Sequence, residues 1–188
     1  MKRELTLRIK ETPIDGLYII QNVDFTDTRG VFKKFYDASQ PFLNNFSIRQ
    51  VNFSHNMRSG TIRGLHYQTR KVDAKIVTCL RGAVFDVAVD LRRKSESFGR
   101  HFGALLSEEN NSAFFIPKGF AHGFQTLSDN SDLLYLHDED FLPTEQRGVN
   151  AFSEDLKISW PLPVSNMSDK DSTLERFYLK NKEDFDEM

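Results

Sequence analysis

Two runs of residues, 74–80 and 83–91, are rich in β-branched side chains and are separated by Arg81-Gly82. A two-residue link of this kind between apolar runs reads as a hairpin turn. In the second run Phe85, Val87, Val89 and Leu91 share one face, while Asp86, Ala88 and Asp90 share the other. A period of two predicts an antiparallel strand buried on one side. Shorter runs at 5–10, 17–23, 31–36, 47–53, 101–106, 112–116, 121–127 and 133–137 also read as strands, with Asn, Asp, Gly or Pro between them. Many short strands at such spacing can bury their faces only in a sandwich, jelly roll or barrel. The expected fold is therefore all-β.

Helical signals are few. Residues 37–45 allow one short helix, 54–60 read as a polar loop, and Ser172 is placed to cap a helix running to residue 177. Residues 180–188 are acidic and poor in apolar side chains, as in a frayed tail. The 188 residues are expected to form one domain, 1–188, with a core of about 5–171 and a C-terminal helix and tail over 172–188. The first strand, at the terminus, is suited to pairing with another subunit.

A net charge of -2, with acids and bases interspersed, argues against a nucleic-acid partner. No apolar run approaches the roughly 20 residues of a membrane helix, and the basic start Met1-Lys2-Arg3 is followed by no apolar core that would make a signal peptide. Cys79 is the only cysteine, so no intramolecular disulfide forms; a cytoplasmic location is expected. Flanked by Val77 and Leu80, Cys79 reads as a small buried hydrophobe.

Two segments concentrate chemistry. Thr61-Ile62-Arg63-Gly64-Leu65-His66-Tyr67-Gln68 sets a guanidinium and an imidazole three residues apart around a glycine. Imidazole is the default proton acceptor near neutrality, and the guanidinium fork suits phosphate or carboxylate oxygens. In a regular strand Arg63 and His66 would point to opposite faces, so an irregularity at Gly64 is expected. The second segment, Ile116-Pro117-Lys118-Gly119-Phe120-Ala121-His122-Gly123-Phe124, turns at Pro and Gly and then carries His122. One His from each of two such segments suggests a cupin barrel. The metal-binding form of that barrel wants His-x-His and a Glu; here Gln68 stands two residues after His66, and no metal or other cofactor is expected.

With these segments, Asp27-Thr28-Arg29-Gly30, Ala74-Lys75-Ile76-Val77, Leu134-Tyr135 and Ser168-Asp169-Lys170-Asp171 make the chain resemble the dTDP-4-dehydrorhamnose 3,5-epimerase family over roughly residues 16–171. The resemblance implies a metal-free cupin-type jelly-roll barrel, usually a homodimer, acting on nucleotide-diphosphate 4-keto sugars. It implies His66 as base, Asp171 as its orienting partner, Tyr135 as the opposing acid and Lys75 near the C4 oxygen. It further implies substrate contacts from Arg29, Lys34, Gln50, Asn52, Arg63, His122, Phe141, Gln146 and Lys170, with Arg29 reaching the partner subunit's site. Such a reaction needs proton-transfer groups on both faces of the sugar and a cation at the ketone oxygen, because a C4 ketone acidifies the C3 and C5 hydrogens.

Four positions depart from the family pattern. Lys34 and Gln146 replace Glu, Val51 replaces Asp in a Gln-Asp-Asn motif, and Phe141 replaces a Tyr that stacks on thymine, keeping the π face and losing the hydroxyl. The stretch His137-Asp138-Glu139-Asp140 is also unusual. The proton-transfer set is intact and the rim has changed. The expectation is an epimerase with C3, C5 or both inverted, on a dTDP sugar or alternatively a CDP- or GDP-linked one. Less favoured readings are a ketoisomerase, a silent sugar-binding cupin and a dimerisation module.

Overall fold

The computed structural model describes residues 7–185. Thirteen strands follow in order: β1 Arg8–Glu11, β2 Tyr18–Gln21, β3 Val23–Asp27, β4 Gly30–Lys34, β5 Gln50–Asn56, β6 Ile62–Gln68, β7 Lys75–Arg81, β8 Ala83–Asp90, β9 His101–Ser107, β10 Ser112–Ile116, β11 Phe120–Thr126, β12 Ser131–His137 and β13 Gln146–Gly148. One α-helix of four residues, α1 Asp169–Ser172, follows them. The strands form a six-stranded sheet, ordered β1-β2-β10-β7-β12-β5, a five-stranded sheet, β13-β6-β11-β8-β9, and the separate hairpin β3-β4. All named pairings are antiparallel. The all-β class expected from the strand spacing, and the jelly roll implied by the resemblance, are the fold. The expected hairpin at Arg81-Gly82 is not: β7 and β8 do not pair, because this short link carries the chain from the six-stranded sheet to the five-stranded one.

The two large sheets face each other across one core. Val77, Phe114 and Leu133 from the six-stranded sheet pack with Val84, Ala88, Leu106, Phe120 and Phe124 from the other. Apolar layers also cover the outer faces. Leu43, Phe46 and Leu7 pack on Ile76 and Phe115 outside the first sheet. Leu156, Phe177 and Phe185 pack on Val87, Val89 and Leu91 outside the second.

That outer layer corrects the expectation for β8. Its apolar face lies under the C-terminal segment, and its Asp86 face looks between the sheets, so both faces are buried. The acidic tail is likewise not frayed as far as it is described: Lys182–Phe185 forms a 3-10 turn that inserts Phe185. The helix expected from Ser172 instead lies at Asp169–Ser172, capped by Ser168, and 37–45 holds only the 3-10 turn Pro41–Leu43. Strand β5 runs three residues into the predicted loop, because Asn56 pairs with Ser131 and its amide donates to the Ser131 carbonyl at 3.1 Å. The start of the predicted first strand at Leu5, and residues 186–188 of the tail, lie outside the described residues. Cys79 is buried, as its neighbours predicted.

Candidate active site

The irregularity expected at Gly64 is present. His122 pairs with His66 and Phe124 pairs with Arg63, so three steps on β6 match two on β11. The extra residue is a β-bulge, and it brings Arg63 and His66 to the same face of the sheet. Gly64 sits at φ +102°, and a Cβ there would lie 2.6 Å from the His122 carbonyl oxygen. Only glycine fits both demands. One missing side chain thus aims two functional ones.

A cavity of about 550 Å³ opens between the sheets at this point. On the five-stranded side it is lined by Arg63, His66 and His122, and on the six-stranded side by Asn52, Lys75, Tyr135 and His137. The second group follows from pairing. His137 lies opposite Lys75, and Tyr135 opposite both Val77 and Asn52. Alternation then turns Lys75, Tyr135 and His137 inward with the core residues Val77 and Leu133. Asp171, Lys170, Gln146 and Phe141 also line it.

His66 Nε2 lies 2.7 Å from Asp171 Oδ1, and Asp171 Oδ2 accepts from the Gly64 amide at 3.0 Å. Ser168 Oγ holds the Asp171 amide at 3.1 Å. Burial pushes the Asp171 carboxyl up, but the His66 hydrogen bond and the Gly64 amide outweigh it, and the group stays below the ordinary carboxylate range. It remains an anion behind the imidazole and fixes the orientation of the ring. Across the cavity, burial pushes the Tyr135 phenol well above its ordinary value, so it stays a proton carrier. Its hydroxyl has Ser54 Oγ at 3.4 Å.

Two further carboxylates escaped sequence reasoning. Asp86, fully buried, contacts His122 Nε2 at 2.8 Å, while its other oxygen has no hydrogen-bond partner; burial pushes this carboxyl up despite the charge of His122. Asp73 Oδ2 lies 3.1 Å from Lys75 Nζ and 2.8 Å from His137 Nδ1. Burial pushes Asp73 up too, but the Lys75 charge and the His137 hydrogen bond outweigh it and hold the group far below the usual range. The signal for Asp73 was its i, i+2 spacing to Lys75. For Asp86 it was the polar face of β8.

The predicted substrate contacts divide. Asn52, Arg63, His122, Phe141, Gln146 and Lys170 line the cavity, with Arg63 Nε donating to Asn56 Oδ1 at 2.8 Å and Lys170 bonded to Gln146. Gln50 stands behind the lining, donating to Asn52 Oδ1 at 3.0 Å and accepting from the Phe141 amide at 2.9 Å. Lys34 and Arg29 are outside it on the β3-β4 hairpin, Lys34 bonded to Asp37 at 2.8 Å and the exposed Arg29 bonded to Asp27 at 2.6 Å. Val51 is exposed on β5.

Residues 11–178 match the family model described as dTDP-4-dehydrorhamnose 3,5-epimerase. The dTDP-4-dehydrorhamnose 3,5-epimerase of Methanothermobacter thermautotrophicus is 39% identical over 168 residues, covering 87% of this chain and 91% of its own. A dTDP-4-dehydrorhamnose 3-epimerase of Streptomyces niveus is 34% identical over 174 residues, covering 89% and 84%. Among solved structures, the dTDP-6-deoxy-D-glucose-3,5-epimerase of Legionella pneumophila in complex with dTDP-4-keto-L-rhamnose matches with a TM-score of 0.86 and 38% identity. That match covers 91% of this chain and 93% of the other.

Proposed function

Since the chain belongs to the dTDP-4-dehydrorhamnose 3,5-epimerase family and is an isomerase of that type, we propose that it inverts C3, C5 or both of a dTDP-linked 4-keto-6-deoxy sugar. His66 removes the proton, Asp171 stabilises the imidazolium, and the electron pair moves into an enolate whose oxygen faces Lys75. Tyr135 then returns a proton from the other face. The observation that supports this most is the opposition of the two pairs: His66–Asp171 stands on one wall of the cavity, Tyr135 and Lys75 on the other. A base and an acid on facing sheets can address both faces of one ring.

Arg63, His122 and Lys170 supply cations or donors for the diphosphate, and Phe141 offers a ring for the base. The altered rim positions Phe141 and Gln146 both line the cavity, which favours a sugar other than the rhamnose precursor as the preferred substrate. Arg29, outside this cavity, is assigned to the site of a second copy in a homodimer that exchanges N-terminal strands.

The test is deuterium incorporation from D2O into dTDP-4-keto-6-deoxyglucose, followed at C3 and C5 by NMR and mass, with His66→Ala as control. Label at both carbons is the 3,5-epimerase outcome, and label at one carbon the single-centre outcome. His66→Ala is expected to slow exchange by about 10² to 10⁴-fold. A folded wild-type protein that exchanges neither hydrogen would remove the dTDP reading and turn the assay to CDP- and GDP-linked ketones.

A further inference from the structure

Asp73, Lys75, Tyr135 and His137 form one patch on the inner face of the six-stranded sheet. The chain dictates it: Asp73 precedes Lys75 by two residues, His137 follows Tyr135 by two, and His137 and Lys75 are direct partners across the β7-β12 ladder. The His137 and Tyr135 rings lie 6.1 Å apart and nearly parallel, at 17°. Asp73 and Lys75 are both less than a tenth exposed.

A carboxylate beside a buried lysine cuts two ways. It makes the ammonium tolerable in a low-dielectric site, and it also pulls that ammonium out of the cavity and neutralises it. Here the same oxygen, Asp73 Oδ2, accepts from both Lys75 Nζ and His137 Nδ1. The imidazole bond is the shorter of the two, and its donor is held on a rigid strand by ring stacking. We propose that His137 is a positioning residue for Lys75: it clamps Asp73 so that the lysine ammonium stays aimed at the substrate's C4 oxygen. The role rests on the epimerase reading for its chemistry, but not for its geometry.

With His137 gone, Asp73 turns freely about its side-chain bonds and takes the ammonium with it. The group Lys75 stabilises is an oxygen whose charge grows toward the enolate, so a misplaced ammonium costs rate and leaves binding almost intact. Asparagine places its amide N–H near where the histidine Nδ1–H stood and can keep the clamp; alanine cannot.

Two measurements on the full-length protein test this. In the exchange assay, His137→Ala is expected to lower kcat about 10- to 100-fold with KM within about threefold, and His137→Asn to recover most of the rate. Wild-type kcat in His137→Ala, a loss confined to KM, or equal losses in the two variants would overturn the proposal. The second measurement needs no substrate. Reductive methylation with ¹³C-formaldehyde, read at Lys75 by mass spectrometry, is expected to run at least about fivefold faster in His137→Ala than in the wild type, with His137→Asn near the wild type. An unchanged Lys75 rate, or the same rise in both variants, would count against the clamp. If the wild type were inactive on the dTDP sugar, only the functional reading would fall, and the methylation result would still decide the clamp.

Discussion

His66 and Asp171 are 105 positions apart in the chain and 2.7 Å apart in space. At the scale of single residues the site is a set of such pairs: His66 with Asp171, His122 with Asp86, and Lys75 with Asp73 and His137. Each of these imidazoles and the Lys75 ammonium has a buried carboxylate behind it, which fixes its orientation and, for histidine, its tautomer. Among the described residues Tyr135 has none; its hydroxyl has only Ser54 Oγ beside it. Tyr135→Phe is therefore expected to separate the two halves of the reaction. His66 still removes a proton and returns deuterium to the same face, so NMR should show label entering the starting sugar while its epimer fails to accumulate. Epimer formation at the wild-type rate would remove Tyr135 from the mechanism. The types of these residues were legible in the sequence, and the resemblance named most of them. Asp73 and Asp86 were not legible as partners, because a carboxylate in the sequence reads the same whether it meets water or a histidine brought in by a neighbouring strand.

At the scale of elements, the bulge in β6 does the aiming. Arg63 and His66 reach one cavity only because Gly64 accepts φ +102° and leaves room for the His122 carbonyl. Gly64→Ala is expected to cost at least about 2 kcal/mol, from a disfavoured backbone region and a backbone contact that cannot give way. Urea denaturation followed by circular dichroism measures it; wild-type stability in that variant would mean the bulge relaxes at no cost. The irregularity was foreseeable from the parity of 63 and 66. Strand β13 was not. Its three residues, Gln146–Gly148, carry no alternation to see and exist as a strand because β6 offers them an edge.

For the whole molecule, two expectations concern charge and assembly. Asp73 and Asp171 are held below the usual carboxylate range, so the native state binds fewer protons there than the unfolded chain, whose carboxyls titrate near about 3.9. Their contribution to stability is complete above that value and is lost as pH falls through the folded-state values. Asp73→Asn and Asp171→Asn are each expected to flatten the fall in stability below about pH 4, read from urea midpoints. A slope equal to that of the wild type would show the pairing energies to be misassigned. If Arg29 serves the cavity of a second copy, mixing Arg29→Ala with His66→Ala should restore up to about one quarter of wild-type exchange, since half the dimers are mixed and each mixed dimer has one complete site. No recovery on mixing would place Arg29 in its own subunit or outside catalysis.

The sequence by itself determined the all-β class, the turn at Arg81-Gly82, the two histidine-bearing segments and the buried state of Cys79, because strand alternation, turn chemistry and small apolar neighbours are local properties; that the turn joins two sheets and not two paired strands was a tertiary outcome. Tertiary structure decided what each face was for. Val87 and Val89 of β8 read as the buried face of a half-buried strand, yet they lie beneath Phe177 and Phe185, and the Asp86 face looks between the sheets with Val84 and Ala88. A period of two says that a strand has two different faces. Which of them meets the opposite sheet, and which meets a segment arriving from ninety residues further on, depends on long-range packing that no local pattern encodes.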